Sequence, residues 1–544
     1  MWRLSVELRR IVSIYYLNTA IAHSQWSHVD QALILERLEH VKTGYGYDRE
    51  LRCMDGTRES LLNNIITWAT DRSAEQNRSN TYWIYGSPGI GKTSLAHSIC
   101  ARLHDDYKKH LAATFFCRRD DPNLNEPRNI LPTLIHQLAI VFPPFRSIVA
   151  KELHRDPHVT PTSMKETFLP DLIRALRRRP MHTLVFVVDA LDETSGSASQ
   201  LGTLRALTDA AAQVTWLRII ITSRPEIDIK RFFDAPSHPS HIRYDLAADQ
   251  EASGDLRTFT QSLFDKVAEK WYLPTPWPEQ SLFNRVIFRA NGLFIFIKTI
   301  VLTLEYCSNP TESLEATLEY SATTGLNSLY TLYSSILKSR ITPSDGKFQR
   351  VIGVLCATAP YRSLCAETIA ELAGVSPNLV KKWVDDLSSL LYEDEGAKKG
   401  IRVRHLSISD FFISGECPED SRVDLPDANI ELGIACLTMM IRNLRFNICK
   451  LENSLLANAS IKDLQSRIEQ NISDALQYSC LYWSNHLCSN HKIFDRRGQE
   501  QLKEFFEGCY PLFWIEVLSL MGMVSTCVPS LRRVILSCLE VRMT

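Results

Sequence analysis

A glycine-rich stretch between an apolar run and a helix-like run constrains this chain most. Residues 82–95 begin with four β-prone side chains, continue as Gly86-Ser87-Pro88-Gly89-Ile90-Gly91 and end in Lys92-Thr93-Ser94-Leu95. Gly86, Gly91, Lys92 and Thr93 fill the G-x-x-x-x-G-K-[ST] template. Glycines allow consecutive backbone N–H groups to turn inward at a helix N-terminus, which creates an anion-binding nest. The stretch therefore predicts a phosphate-binding loop between a strand and a helix.

The last residues of this loop carry the expected ligand chemistry. Lys92 is expected to reach the β- and γ-phosphates of a nucleoside triphosphate. The hydroxyl of Thr93 is expected to bind Mg²⁺, because Mg²⁺ favours hard oxygen ligands that it shares with phosphate and water. The predicted cofactors are ATP or ADP together with Mg²⁺.

An acidic segment follows a second apolar run. Leu184-Val185-Phe186-Val187-Val188 leads directly into Asp189-Ala190-Leu191-Asp192-Glu193. A continuous apolar run is typical of a parallel strand buried on both faces, and ligands of open α/β sheets bind at the carboxyl ends of such strands. Asp189 is therefore predicted to hold the Mg²⁺ shell. Asp192 or Glu193 is predicted to orient or polarise the attacking water.

A third apolar run, 217–222, ends in Ser223-Arg224-Pro225-Glu226. From the end of a neighbouring strand, Arg224 could contact the γ-phosphate as a sensor; the alternative is an ordinary surface arginine. Strands that alternate with helices over residues 80–246 predict an α/β P-loop NTPase fold with a doubly wound parallel sheet.

The rest of the chain has helical periodicity. Residues 345–415 predict three short helices, the third over 378–391, and then a hairpin, which is the order of a winged helix. Lys381 and Lys382 form the only basic pair on that third helix, so an intramolecular role is favoured over DNA binding. The predicted domains are an N-terminal helical arm (1–45), the nucleotide-binding domain (46–246), a helical lid (247–344), the winged helix (345–415) and a C-terminal helical region (416–544).

The charge balance and the cysteine usage indicate which classes of partner and which compartment are favoured. The chain has 61 basic and 62 acidic side chains, so electrostatics favour neither nucleic acid nor a membrane surface as the main partner. Its 14 cysteines form no C-x-x-C pair, which is typical of reduced thiols in a cytoplasmic protein. Cys480, His486, Cys488 and His491 could in principle bind Zn²⁺, but their helical apolar pattern favours core positions.

With these motifs in this order, the chain resembles the NACHT branch of the STAND signalling NTPases. It looks most like fungal NLR-like proteins with a nephrocystin-type NACHT module. Beyond the loop, the acidic strand and Thr222-Ser223-Arg224-Pro225-Glu226, four stretches support the resemblance: Cys53-Met54-Asp55-Gly56-Thr57-Arg58, Ala290-Asn291-Gly292-Leu293-Phe294-Ile295, Arg404-His405-Leu406-Ser407-Ile408-Ser409-Asp410-Phe411 and Leu476-Gln477-Tyr478-Ser479-Cys480-Leu481-Tyr482-Trp483.

The resemblance implies a signalling switch that rests closed with ADP, exchanges it for ATP, opens and forms a homo-oligomer, with weak ATP hydrolysis as the reset. It implies protein signalling partners, or a separate sensor or effector, because the sensing repeats usual in the family are not found in this sequence. His405 matches the family position of a histidine that holds the ADP β-phosphate; the alternative is a strand histidine packed beside Asp410.

Three other functions compete with the switch. A small-molecule kinase would need a second substrate pocket and no winged helix. An ATPase acting on nucleic acid should carry a basic surface. A truncated nucleotide-binding scaffold without signalling output remains the third alternative.

Overall fold

The computed structural model divides the chain at Asp255 into two compact units. The structure describes residues 28–543 apart from 39, 43, 72–78, 108, 157–168, 170–181, 237, 250, 306, 320–323, 342–345, 395–398, 454–455 and 490–495. Among these described residues, no helix combines the length and the apolar character that a bilayer crossing requires.

The first unit is built on a sheet of five parallel strands in the order β2-β3-β4-β1-β5. The strands are β1 (Thr81–Tyr85), β2 (Leu111–Phe116), β3 (Leu184–Asp189), β4 (Leu217–Ser223) and β5 (His241–Asp245). Strand β4 pairs with both β1 and β3, so it separates the strand before the glycine loop from the strand that ends in Asp189. The carboxyl ends of β1, β3 and β4 therefore lie at one edge of the sheet.

The central strands are apolar because both of their faces are covered. All residues of β3 and β4 are buried, as expected for parallel strands between two helical layers. The helices of this unit are α1 (His28–Leu35), α2 (Glu59–Thr70), α3 (Lys92–Asp105), α4 (Ile130–Val141), α5 (Pro143–Arg155), α6 (Ser197–Gln213) and α7 (Ile227–Asp234). The predicted α/β fold is confirmed.

The second unit is mostly helical, as the sequence predicted. Its first helix, α8 (Ala252–Trp271), begins just before the division of the chain. It is followed by α9 (Gln280–Ala290), α10 (Phe294–Leu304), α11 (Pro310–Glu319), α12 (Gly325–Arg340), α13 (Lys347–Thr358), α14 (Ala366–Ala373), α15 (Pro377–Asp386), α16 (Leu406–Ile413), α17 (Leu425–Asn443), α18 (Leu464–Asn471), α19 (Asp474–Leu487), α20 (Arg496–Glu507), α21 (Tyr510–Leu520) and α22 (Cys527–Met543).

Helices α13, α14 and α15 precede an antiparallel hairpin of β6 (Leu391–Glu393) and β7 (Ile401–Val403). The predicted order of elements is present, and the classification as a winged helix stays a prediction. The third helix was predicted to reach Leu391 but ends at Asp386. The amide of Leu387 still donates to Trp383 O at 3.0 Å, and the chain then turns so that Leu391 can begin β6.

The C-terminal core of the second unit forms where α17 and α19 cross. A Cβ on Gly433 of α17 would lie 2.6 Å from the backbone nitrogen of Leu487, so this glycine lets the two backbones approach closely. Trp514 of α21 closes the core, because its indole N–H donates to the carbonyl of Cys480 at 2.8 Å.

Candidate functional site

The glycine loop closes tightly between β1 and α3. Gly89 and Gly91 have φ angles of 79° and 100°, which favour glycine over any residue with a side chain. Gly91 is the N-cap of α3, and its carbonyl accepts from the amide of Leu95 at 3.0 Å. A Cβ on Gly86 would lie 3.1 Å from a methyl carbon of Ile90, so the loop packs against itself there. The first turn of an α-helix leaves its N–H groups without intrahelical acceptors, so the start of α3 beside this loop can serve as an anion site.

Lys92 curls back over the loop that precedes it. Its ammonium group donates to the carbonyl oxygens of Gly86 at 2.7 Å and Ser87 at 2.9 Å. Burial lowers the pKa of Lys92 to about 8, although the nearby carboxylate of Asp192 opposes the shift. The structure thus places this cation at the loop, where the sequence predicted a phosphate contact.

The two predicted Mg²⁺ ligands lie side by side. The carboxylate of Asp189 at the end of β3 is hydrogen-bonded to the Thr93 hydroxyl of α3. Asp189 is 1% exposed, and this burial raises its pKa to about 6 despite the hydroxyl donors. A hydroxyl and a carboxylate beside a phosphate-binding loop form the hard oxygen set that fits Mg²⁺.

Asp192 and Arg224, which follow the carboxyl ends of β3 and β4, form an ion pair. The Arg224 guanidinium nitrogen Nε lies 3.3 Å from Asp192 Oδ2, and the Arg224 backbone N–H donates to Asp192 Oδ1 at 2.9 Å. The Asp192 side chain is 2% exposed, whereas that of Arg224 is 19% exposed. Asp192 therefore fixes both the backbone and the side chain of the predicted sensor arginine.

Glu193 occupies a different environment from its neighbour Asp192. Its Oε2 accepts a 3.2 Å hydrogen bond from the backbone N–H of Arg119. Burial, and secondarily the adjacent charge of Asp192, raise the pKa of Glu193 to about 8. A carboxyl group with a pKa near the working pH can both accept and release a proton, which suits a general base.

Comparison with known proteins agrees with this geometry. The family model for the N-terminal region of nephrocystin 3 matches residues 56–224, a segment that contains the loop, the acidic strand end and Arg224. This chain contains a nephrocystin-type P-loop NTPase domain. The match covers the part of the first unit that contains the glycine loop, the predicted Mg²⁺ ligands and the predicted sensor arginine.

Solved structures show a more distant similarity to the chain. A Walker-type ATPase of Pyrococcus abyssi is 14% identical, with a TM-score of 0.31, over 65% of this chain and 95% of that protein. The Aeropyrum pernix ORC1 protein, solved in complex with DNA, is 12% identical, with a TM-score of 0.29, over 69% of this chain and 95% of its own. At these TM-scores, the fold assignment rests on the sheet order and the loop. No curated protein matches the chain.

The nephrocystin-type domain also contains a buried arginine to which sequence reasoning assigned no role. Arg58, at the N-cap of α2, is 4% exposed and forms ion pairs with Asp249 and Asp255. Its guanidinium also donates to the carbonyl of Ile90 in the glycine loop at 3.4 Å. The available signal was an arginine two residues after a glycine in a polar turn, but its acidic partners are almost two hundred residues away along the chain.

Sequence reasoning also assigned no role to Thr222, because its contacts are with residues of another strand and the turn after it. Its hydroxyl donates to Asp189 Oδ1 and accepts from the backbone N–H of Ala190 at 2.9 Å. Ala190 has a φ of 55°, an unfavourable angle for a residue with a Cβ. Thr222 therefore orients the Asp189 carboxylate and supports the strained turn that presents Asp192 and Glu193. The available signal was a hydroxyl residue at the end of a buried strand.

Two other candidate sites lie in the second unit. His405 is the N-cap of α16, where its Nδ1 accepts from the backbone N–H of Ser407 at 3.1 Å; its contact with ADP stays a prediction. In the alternative zinc cluster, the His486 ring is already hydrogen-bonded to Tyr478 and Asn429, each at 2.8 Å. His491 lies outside the described residues. His486 is therefore a core residue, as the helical pattern favoured.

Proposed function

We propose that this chain is an ATP- and ADP-binding switch of the NACHT type with weak ATP hydrolysis. The observation that carries the proposal is the convergence of Lys92, Thr93, Asp189 and Arg224 at one edge of a parallel sheet. This is the set of groups that phosphoryl transfer uses: a phosphate cradle, Mg²⁺ ligands and a cation for the developing charge.

In this proposal each residue of the site has one task. The loop amides and Lys92 bind the β- and γ-phosphates. Thr93 and Asp189 hold Mg²⁺, which neutralises phosphate charge when it is bound. Thr222 keeps the Asp189 carboxylate in position.

Glu193 is the proposed general base. The Asp192 carboxylate is engaged with both the backbone N–H and the guanidinium of Arg224, which leaves Glu193 as the carboxyl with a pKa suited to taking the proton from water. Arg224 would contact the γ-phosphate from the end of β4. Because Asp192 holds this arginine, the contact with the γ-phosphate would compete with an existing ion pair, and slow hydrolysis follows.

The signalling part of the proposal rests on the resemblance to fungal NLR-like proteins and on the charge balance. A net charge of −1 gives little electrostatic support to a nucleic-acid ATPase. The switch would rest closed with ADP, form a homo-oligomer with ATP and pass the signal to protein partners in non-self recognition or cell death. The 14 free cysteines, half of them buried, suit a reducing cytoplasmic setting.

The deciding experiment is to purify the full chain without added nucleotide, denature it and quantify the released nucleotide. We expect close to one ADP per chain, and we expect none for the Lys92→Ala variant processed in the same way. Rapid turnover of added ATP would instead support a catalytic ATPase. A wild-type site that is empty after purification would support the scaffold function and contradict the resting switch.

A further inference from the structure

Two histidines and a glutamate lie together outside the residues assigned to the nucleotide site. The imidazole rings of His40 and His136 stack with their centroids 3.7 Å apart. His136 Nε2 lies 3.9 Å from Glu36 Oε1. One ligand atom from each of these three residues lies within 4.8 Å of the others. The two histidines are partly buried and Glu36 is exposed, so the cluster is accessible from solvent.

We propose that His40, His136 and Glu36 bind a divalent transition-metal ion of the Zn²⁺ class. Two imidazole nitrogens and one carboxylate oxygen form a ligand set that suits Zn²⁺, whereas Mg²⁺ and Ca²⁺ prefer oxygen ligands throughout. Three protein ligands leave the fourth tetrahedral position to water.

The hydrogen bonding of His40 supports this proposal independently of the clustering. His40 Nδ1 lies 2.8 Å from the carbonyl oxygen of Leu38. Because a carbonyl oxygen can only accept, Nδ1 carries the hydrogen, and the neutral ring keeps its lone pair on Nε2. A backbone carbonyl bound to the other ring nitrogen is a common outer partner of metal-binding histidines.

The protonation state of His136 also suits metal binding. Burial, and secondarily the neighbouring His40, lower the pKa of His136, while Glu36 opposes this shift. Lys42, 3.5 Å from Glu36, adds a further lowering effect. A lowered pKa favours the neutral imidazole, which is the form that binds metal.

Binding requires a small adjustment of side chains. The two rings are nearly parallel, with an interplanar angle of 11°, so at least one ring must rotate about Cβ–Cγ for both nitrogen lone pairs to converge. The carboxylate must exchange its contact with Lys42 for the metal, and both side chains of that ion pair are more than half exposed. An exposed ion pair of this kind is weak, so it offers little resistance.

A bound ion would link the segment that follows α1, which contains Glu36 and His40, to α4, which contains His136. The two elements already meet where the amide of Val41 donates to Thr133 Oγ1 at 3.0 Å, and Leu35 and Leu38 are buried in the same core. An ion that binds the folded state alone stabilises it by mass action. We therefore expect Zn²⁺ to raise the temperature of thermal unfolding.

The test is a Co²⁺ titration of the full chain, followed by visible absorption, in millimolar Mg²⁺ that competes with Co²⁺ for the oxygen ligands of the nucleotide site. We expect one equivalent of Co²⁺ with a nitrogen and oxygen ligand spectrum, displaced by Zn²⁺. His136→Phe keeps a stacked ring but removes the ligand nitrogen, so it should weaken binding at least tenfold. His104→Phe is the matched control: this histidine is 59% exposed, lies outside the cluster and should leave binding unchanged.

Glu36→Gln is the second variant, because an exposed side chain can be changed without disturbing the fold. It should also weaken binding at least tenfold, and it decides the question if His136→Phe does not fold. Wild-type protein that binds no Co²⁺ would overturn the proposal. So would equal binding by Glu36→Gln and wild type, or a thiolate spectrum, which would place the ion on cysteines.

Discussion

The edge of the parallel sheet and the core around α19 both bury polar side chains, with opposite outcomes. At the sheet edge, burial raises the pKa of Asp189 to about 6 and of Glu193 to about 8, so their charges are incompletely stabilised. Around α19, the His486 ring donates to one partner and accepts from another, and burial lowers the pKa of this histidine to about 3. The ring is therefore neutral and fully hydrogen-bonded.

This difference distinguishes a buried polar group that belongs to the core from one that belongs to a ligand-binding site. Hydrogen bonds that satisfy a neutral buried group make it part of the core. Carboxyl groups held close together in a buried place stay costly when ionised, and such groups concentrate where ligands bind. Substitutions at the sheet edge should therefore mainly change nucleotide binding or hydrolysis, whereas substitutions in the core around α19 should change the free energy of unfolding.

The largest expected effect is on catalysis at the sheet edge. Glu193→Gln should slow ATP hydrolysis about 100- to 10,000-fold, because it removes the proposed base. It should leave ATP and ADP affinity within about threefold of wild type, since the loop and Lys92 are intact. Single-turnover hydrolysis and a binding titration measure the two quantities. If Asp192→Asn stops turnover and Glu193→Gln does not, the roles of the two carboxyl groups are reversed.

The same substitution should change the pH dependence of stability. The folded pKa of Glu193 is raised from 4.5 to about 8, so the folded state holds the extra proton between these values and loses stability as pH rises through this range. Gln cannot ionise. Glu193→Gln should therefore match wild type in stability at low pH and exceed it at pH 8 by at most about 5 kcal/mol. Urea unfolding at both pH values measures this, and equal stability at pH 8 would contradict the buried carboxyl.

In the α19 core, stability should change and binding should not. His486→Leu leaves the Tyr478 hydroxyl and the Asn429 carbonyl oxygen without their partner, which should cost about 2–4 kcal/mol of unfolding free energy. ADP affinity of the folded protein should equal that of wild type. Urea unfolding with an ADP titration provides both measurements. A cost below about 0.5 kcal/mol would show that the network is not structural.

Lys92→Ala should weaken nucleotide binding without lowering the stability of the fold. Loss of a charge-assisted phosphate contact worth about 1.5–3 kcal/mol should weaken ADP binding about 10- to 150-fold. Unfolding free energy should not fall, because burial already disfavours the charged form of this lysine in the nucleotide-free protein. Lys151→Ala, at an exposed lysine of α5, is the matched control. Wild-type affinity in Lys92→Ala would reject the phosphate-binding loop.

The smallest effect is expected at His405, where a cap and a nucleotide contact can be separated. His405→Ala removes the N-cap of α16 and should cost about 1 kcal/mol of stability, whereas His405→Asn keeps a capping side chain. If His405 also holds the ADP β-phosphate, both variants should release a fluorescent ADP analogue faster than wild type in stopped-flow experiments. An unchanged release rate in both would make this histidine a cap alone.

The local sequence was sufficient to predict those parts of the site that consist of a few consecutive residues. The loop from Gly86 to Thr93, the strand that ends in Asp189 and the position of Arg224 at the end of β4 all followed from patterns of fewer than about ten residues. Backbone conformation depends mainly on near neighbours, and a continuous apolar run indicates a buried strand, so glycine spacing and apolar runs were sufficient. The helical character of the second unit followed from periodicity in the same way.

Only the tertiary structure decided which side chains meet. The insertion of β4 between β1 and β3 pairs Arg224 with Asp192 and brings Thr222 to Asp189. The partner of Arg58 in its tightest ion pair, Asp249, is 191 residues away along the chain. Strand order and such long-range pairs are set by how the helical layers cover the sheet, and the energy of that packing is shared among many residues. No short pattern encodes it, and this is why the loop was predictable and its supporting contacts were not.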